Sequence, residues 1–229
     1  MINLDKYNIK LLIDFDSTFI KSESLDIISS ISLNHHPSCL EKINQIKELT
    51  SKAMEGKISF SDALLNRIQL LDAKKEHIDL TIKKIKDDIS DSFKRNKDFF
   101  INNFENCYII SGGFTDIIEP VISDFCIPKK NIFANDLIFD DKGYLKSINQ
   151  QNPLSQDLGK IAAAKTINGE KIIIGDGYTD YEVRKHGIAS YFIQHIENIN
   201  RKNLNKNADY ISNNLDKTLS YIKKLYQND

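Results

Sequence analysis

Short, almost uninterrupted apolar runs punctuate this chain, and each ends in a small set of polar residues. Residues 10–13 end at Asp14, residues 107–110 at Ser111-Gly112-Gly113, and residues 171–174 at Gly175-Asp176-Gly177. Runs of this length predict strands rather than helices. Nearly every position in them is apolar, so both faces of each strand are expected to be covered, as in a parallel sheet between two layers of helices. Helical patterns follow over residues 115–125 and 180–186, and Pro120 is expected to kink the first. Strand, loop and helix in alternation predict an α/β fold with a doubly wound parallel sheet, whose ligands gather at the carboxyl ends of the strands.

Residues 22–98 follow a different pattern, with no strand signal. Apolar positions recur at helical spacing through Leu40, Ile43, Ile46, Leu49 and Thr50, and again through Ala63, Leu64, Ile68 and Leu71. Gly56 is placed to end the first helix, and Ser59 with Asp62 forms a capping box that starts the second. The charged stretch 83–97 reads as a solvated helix face. The expected organisation is an α/β core from residues 1–21 and 99–229, with a mainly helical cap, 22–98, inserted after the first strand. Residues 133–139 and 144–148, joined through Asp140-Asp141-Lys142-Gly143, predict a small hairpin.

Charge changes the picture by exclusion. Charged residues make up 28% of the chain, but 31 basic and 32 acidic residues almost cancel, which gives no field for nucleic acid or a membrane surface. Three widely spaced cysteines suit a reducing compartment better than a disulfide framework. No apolar stretch reaches the ~18 residues needed to span a bilayer, and the first apolar run is too short and too acidic for a signal peptide. A cytoplasmic protein is expected.

The residues at the strand ends carry the candidate chemistry. Asp14 and Asp16, in Asp14-Phe15-Asp16-Ser17-Thr18, would crowd two carboxylates at one strand end, an arrangement suited to a nucleophile with a general acid. A polar loop of ordinary turn formers is the plainer reading. Ser111-Gly112-Gly113 offers a hydroxyl and backbone N–H groups to phosphate oxygens, or is simply a turn. Gly175-Asp176-Gly177-Tyr178-Thr179-Asp180 places two more carboxylates beside glycines, either as a hard-cation site or as a tight turn with a capping aspartate. Lys160, at the start of a helical run, would ordinarily be solvated. Four acids and a phosphate dianion need more positive charge than one divalent ion supplies, however, and Lys160 would provide it, with Lys165 as the second candidate.

In their order and placement these segments resemble the four motifs of the haloacid dehalogenase superfamily, and within it those of the phosphoserine phosphatases. The resemblance implies that Asp14 attacks phosphorus, and that Asp16 protonates the departing serine oxygen and then deprotonates the incoming water. It implies Mg²⁺ held by Asp14, the Asp16 backbone carbonyl and Asp176, with Asp180 in support. Ser111, the Gly112 N–H and Lys160 would hold the phosphoryl oxygens. The segment Ala53-Met54-Glu55-Gly56-Lys57-Ile58-Ser59-Phe60, with Arg67 seven residues on, looks like the substrate-binding part of that family. Glu23 would then take an ammonium, Arg67 a carboxylate, and Met54 and Phe60 would close an apolar lid. Without the family, Met54 and Phe60 read as core of the helical insert and Arg67 as a surface residue. Tyr178-Thr179 departs from the small residue and asparagine of many relatives, so the contact near the metal differs there. Thr179 is counted among the substrate contacts. The implied partner is a small phosphomonoester, phosphoserine first, acted on by a monomer or homodimer. Another small phosphate ester, or a silent phosphate-binding role, is the competing reading.

Overall fold

The computed structural model describes residues 2–227. Its centre is a six-stranded sheet in the order β3-β2-β1-β6-β7-β8, in which every neighbouring pair runs parallel. The strands are β1 (Ile9–Ile13), β2 (Cys107–Phe114), β3 (Ile132–Asn135), β6 (Glu170–Gly175), β7 (Tyr191–His195) and β8 (Tyr210–Ser212). Two further strands, β4 (Leu137–Phe139) and β5 (Leu145–Ile148), form a separate antiparallel pair.

The side-chain alternation of the strands explains their unbroken apolar runs. Leu11, Ile13, Ile109, Ile172, Ile174 and Ile193 enter one hydrophobic cluster, whereas Leu12, Ile110, Ile173 and Phe192 enter another. Each strand therefore feeds two cores, one per face. Six helices lie between β1 and β2: α1 (Ser24–Ser32), α2 (Cys39–Met54), α3 (Phe60–Leu70), α4 (Lys75–Asp87), α5 (Asp91–Arg95) and α6 (Lys97–Asn102), and the first core continues into all of them except α2. It also takes in α7 (Thr115–Ile122) and α10 (Leu215–Gln227), while α8 (Gly159–Lys165) and α9 (Tyr178–Lys185) cover the other face.

Local signals behave as expected in the helical insert. Gly56 adopts φ 71°, its N–H reaches the Ala53 carbonyl, and the Lys57 N–H reaches that of Lys52. This left-handed ending satisfies two carbonyls of α2. Ser59 caps α3 by accepting the Asp62 N–H at 3.2 Å. The charged stretch 83–97 is divided among α4, α5 and α6, and its lysines are exposed or half-buried.

Three expectations are corrected. The predicted hairpin strand at 133–139 is two elements: Ile132–Asn135 joins the main sheet beside β2, and only Leu137–Phe139 pairs with β5. Asp136 separates them, and a short apolar strand at the edge of the main sheet cannot be told from a hairpin strand by pattern alone. Ser111-Gly112-Gly113 does not follow its strand but lies within β2, where the pairing with β3 shifts register between Ile110 and Phe114. The helix that contains Pro120 ends at Ile122, and a tighter turn, Ser123–Phe125, completes the span predicted as one helix.

Sheet order fixes the location of the site. From β1 the chain builds β2 and β3 on one side, then returns to build β6, β7 and β8 on the other. The β1/β6 boundary is thus a topological switch point, where crossovers leave in opposite directions and open a crevice at the carboxyl ends.

Candidate active site

Asp14 is the first residue beyond β1, and its N–H still bonds the Ile174 carbonyl of β6 at 2.9 Å. The chain then folds into a wide turn closed by Ile20 N–H on the Phe15 carbonyl at 3.0 Å, with Ser17 at φ 55°. Phe15 and Phe19 anchor this turn in a buried aromatic cluster that includes Phe93, Phe100 and Phe125. The turn brings Asp16 back towards Asp14, and both line one cavity with Glu23, Met54, Phe60, Arg67, Ser111, Gly112, Lys160 and Thr179.

Asp176 and Asp180 come from β6 and α9. Asp14, Asp176 and Asp180 are all buried, and each offers a carboxylate oxygen within 4.8 Å of the other two. Lys160 reaches into this cluster from the first turn of α8, with Nζ 2.8 Å from Asp14 Oδ1 and 2.7 Å from Asp180 Oδ1. Burial opposes its charge, but Asp14 and Asp180 outweigh that and raise its pKa. Lys165, the second candidate, is exposed at the far end of the same helix.

Four of the acids are perturbed. Burial, the charge of Glu23 and, to a lesser degree, Asp14 hold the Asp16 carboxyl well above its ordinary value, although its Oδ1 accepts the Ser24 N–H at 2.7 Å. Burial and Asp14 raise Asp180 likewise. Asp176 is pushed up to about 6 by burial, against the pull of Arg201. Burial also raises Glu23, against a hydrogen bond from Ser17 and the charges of Arg201 and Arg67.

Burial is the largest cause of all four shifts, and nearby acids add to it. Asp14, Asp16, Glu23, Asp176 and Asp180 face Lys160, Arg67 and Arg201 in a region closed to solvent. If all ionise, two negative charges remain uncompensated, and buried charge without compensation is costly. A divalent cation among the three clustered aspartates would restore neutrality, and oxygen-only ligands suit a hard ion. The residues fit such a metal.

Residues 59–61, at the start of α3, meet the strand-end segments directly. The Phe60 ring lies on Gly112 so closely that a Cβ there would fall 2.4 Å from Phe60 Cζ. Asp157, just ahead of α8, accepts the Ser59 hydroxyl at 2.9 Å and the Ser61 N–H at 3.1 Å. The free space enclosed with Asp14 and Arg67 is only about 20 Å³, room for one or two waters.

The structure brings together the residues singled out in the sequence, apart from Lys165, and adds some that were not. Arg201, buried, places Nε 2.7 Å from Asp176 Oδ2 and Nη2 3.5 Å from Glu23 Oε1. Thr18 Oγ1 stands 3.4 Å from Asp176 Oδ1, and Ser17 Oγ donates to Glu23 Oε1 at 2.7 Å. Arg201 lies in a polar stretch after β7 that carries no motif, so its one signal was proximity to a strand end. The Thr179 hydroxyl is buried with no hydrogen-bond partner among the described residues, as befits a group awaiting a ligand.

The parallel sheet and the acid cluster at its switch point define a hydrolase of the haloacid dehalogenase class. No family model matches the chain. It is 32% identical over 207 residues to the chloroplastic phosphoserine phosphatase of Arabidopsis thaliana, across 86% of this chain and 66% of that protein. To the human phosphoserine phosphatase it is 30% identical over 203 residues, across 86% of this chain and 85% of the other. Among solved structures, a phosphoserine phosphohydrolase-like protein from Francisella tularensis superposes with a TM-score of 0.85 at 33% identity, covering 93% of this chain and 99% of that one. A phosphoserine phosphatase described as a phospho-aspartyl intermediate analogue superposes with a TM-score of 0.72 at 26% identity, covering 93% and 98%. The chain belongs to the phosphoserine phosphatase family.

Proposed function

We propose that this chain hydrolyses O-phospho-L-serine to L-serine and inorganic phosphate, with Asp14 as nucleophile and Mg²⁺ as the metal. The observation that carries the substrate is Arg67. Its guanidinium is 3% exposed, held by Nε on the Ala63 carbonyl and Nη1 on Thr50 Oγ1, and lines the cavity that holds Asp14. Glu23, Asp16 and Asp26 act on its charge from farther off, but the ion pairs of the site are made by Lys160 and Arg201. A buried guanidinium held by neutral oxygens gains from a ligand that brings a carboxylate into direct contact. Glu23, on the same cavity, answers the ligand's ammonium, so the pair reads an amino acid by both charged groups.

Asp14 attacks phosphorus while the bond from phosphorus to the serine oxygen breaks. Asp16, whose pKa burial and Glu23 raise, gives its proton to that oxygen,. The resulting carboxylate takes a proton from water, whose oxygen displaces Asp14 and releases phosphate. Ser111, the Gly112 N–H and Lys160 hold the phosphoryl oxygens, and Thr179 adds a hydroxyl. When bound to Asp14, the Asp16 carbonyl and Asp176, with Asp180 in support, Mg²⁺ supplies positive charge to the phosphoryl oxygens. In this reading residues 22–98 form a lid over the core of 1–21 and 99–229. The lid must open to admit substrate, since the enclosed space is far too small for it, and closing excludes water from the acyl-phosphate. No helix among the described residues is long and apolar enough to cross a membrane.

The reading is tested with phosphoserine and p-nitrophenyl phosphate, which lacks the amino-acid part, in Mg²⁺ buffer. Arg67→Ala is expected to lower kcat/KM for phosphoserine about 100-fold, the ~3 kcal/mol of a lost charge-assisted contact. The loss on p-nitrophenyl phosphate should stay within about threefold, because that ester has no carboxylate for Arg67 to bind. Equal losses on both substrates would reject the substrate assignment.

A further inference from the structure

The roles assigned above leave one set of polar contacts unexplained. Asn198, on the loop after β7, places its amide Nδ2 3.1 Å from the Ser17 carbonyl, 3.3 Å from that of Thr18 and 3.2 Å from that of Ile20, and 2.8 Å from Ser90 Oγ. All three carbonyls belong to the wide turn that follows Asp14. They converge because Ser17, at φ 55°, folds the backbone inward. Carbonyl oxygens aimed at one point repel each other unless a donor stands among them, and an amide NH₂ is such a donor. Ser90 completes the arrangement by donating its hydroxyl to the Thr18 carbonyl at 2.9 Å.

The loop that carries Asn198 is itself fixed. Gln194 Nε2 donates to the Arg201 carbonyl at 3.1 Å, the Ile196 N–H bonds the Ser212 carbonyl at 2.7 Å, and the Glu197 carboxylate accepts both the backbone N–H and the hydroxyl of Ser92. Three residues beyond Asn198, Arg201 grips Asp176. One anchored loop therefore holds the turn that follows Asp14 and bears Asp16 and, separately, the aspartate beyond β6.

We propose that Asn198 is a positioning residue for the reaction: it fixes the Phe15–Ile20 turn, and through it the placement of the Asp16 carboxyl against Asp14. The proposal rests on the roles given above to those two aspartates. It differs in kind from the role of Arg67, because it acts on the chemical step whatever group the phosphate leaves.

Asn198→Asp keeps size and shape but puts an acceptor where the three carbonyls need a donor. It is expected to lower kcat about 100-fold and Asn198→Ala about 10-fold, the scale on which a displacement near 1 Å is felt in an active site. The fall should be equal for phosphoserine and p-nitrophenyl phosphate, with KM for each within about threefold of wild type, since the groups that bind the substrate are untouched. A kcat for Asn198→Asp within threefold of wild type, or a loss seen with phosphoserine alone, would overturn the proposal. Should the aspartate variant fail to fold, Asn198→Ala carries the same test, with the same criteria at its tenfold level. Asp14→Asn, assayed in parallel, separates the two ideas. If that variant still turns over, the underlying mechanism fails; if it is inactive while the Asn198 variants match wild type, only the positioning role fails.

Discussion

Asp14→Asn is expected to abolish turnover of phosphoserine and p-nitrophenyl phosphate alike, by at least ~10⁴-fold, as removal of an attacking group does elsewhere. The substitution is close to isosteric. The asparagine oxygen can still accept the Phe15 N–H and the Lys160 ammonium that Asp14 Oδ1 accepts now, at 2.8 Å in each case. The turn and its aromatic anchor therefore stay in place, and what is lost is the nucleophile. Removing one carboxylate also relieves the excess of buried negative charge. With metal chelated, the variant is accordingly expected to melt no lower than wild type. The measurement is steady-state kinetics beside thermal melting in EDTA, with mass spectrometry of the beryllofluoride-treated protein. An adduct on Asp14 in the wild type and none in the variant is the expected pair. Retained turnover with an intact fold would refute the nucleophile assignment.

Lys160→Met has the second largest expected effect, and here activity and stability fall together. Lys160 is the cation shared by Asp14 and Asp180, both nearly or fully buried. Breaking a buried pair from one side leaves uncompensated charge and costs about 3–5 kcal/mol. Loss of a charge aimed at the phosphoryl group costs kcat a further ~10²–10³-fold. The stability loss should depend on pH with a definite sign. Without the lysine, the carboxyl of Asp180, already raised by burial and by Asp14, loses the cation that lowers it. The folded state then holds protons that the unfolded state releases, so stability falls as pH rises above the ordinary carboxylate range. Thermal melting of the variant from pH 5 to 8 should fall further behind wild type with each step, and Mg²⁺ should raise its melting temperature more than that of wild type. A variant as stable as wild type throughout this range would show that the cluster is balanced by some other means.

Legibility in the sequence followed the range of the forces involved. The strands β1, β2 and β6 were readable because burial on both faces demands apolar residues at every position, a demand local enough to leave a mark in four letters. The helix endings at Gly56 and Ser59 were readable because left-handed φ and side-chain capping involve neighbours only. The strands β7 and β8 and the true pairing of β3 left weaker marks, since a short strand's partner is chosen by the sheet and not by the strand. Arg201 and Asn198 left no motif. Each acts on residues more than 20 positions away, and what they supply, a charge for Asp176 and a donor for three carbonyls, has no pattern along the chain.

The sequence by itself determined which chemical groups this protein owns and that each lies on a buried strand or just beyond one: Asp14 and Asp16, Ser111, then Asp176 and Asp180. Order along the chain sets which strand carries which group, and hydrophobic alternation forces those strands inside. Only the tertiary structure decided that β1 lies between β2 and β6, so that the groups share one rim. It also decided that Lys160 rather than Lys165 enters the cluster, that Arg67 is buried and held by neutral oxygens, and that Asn198 holds the nucleophile's turn. Those outcomes depend on the relative placement of distant segments and on the dielectric they create together, and neither quantity exists until the chain has folded.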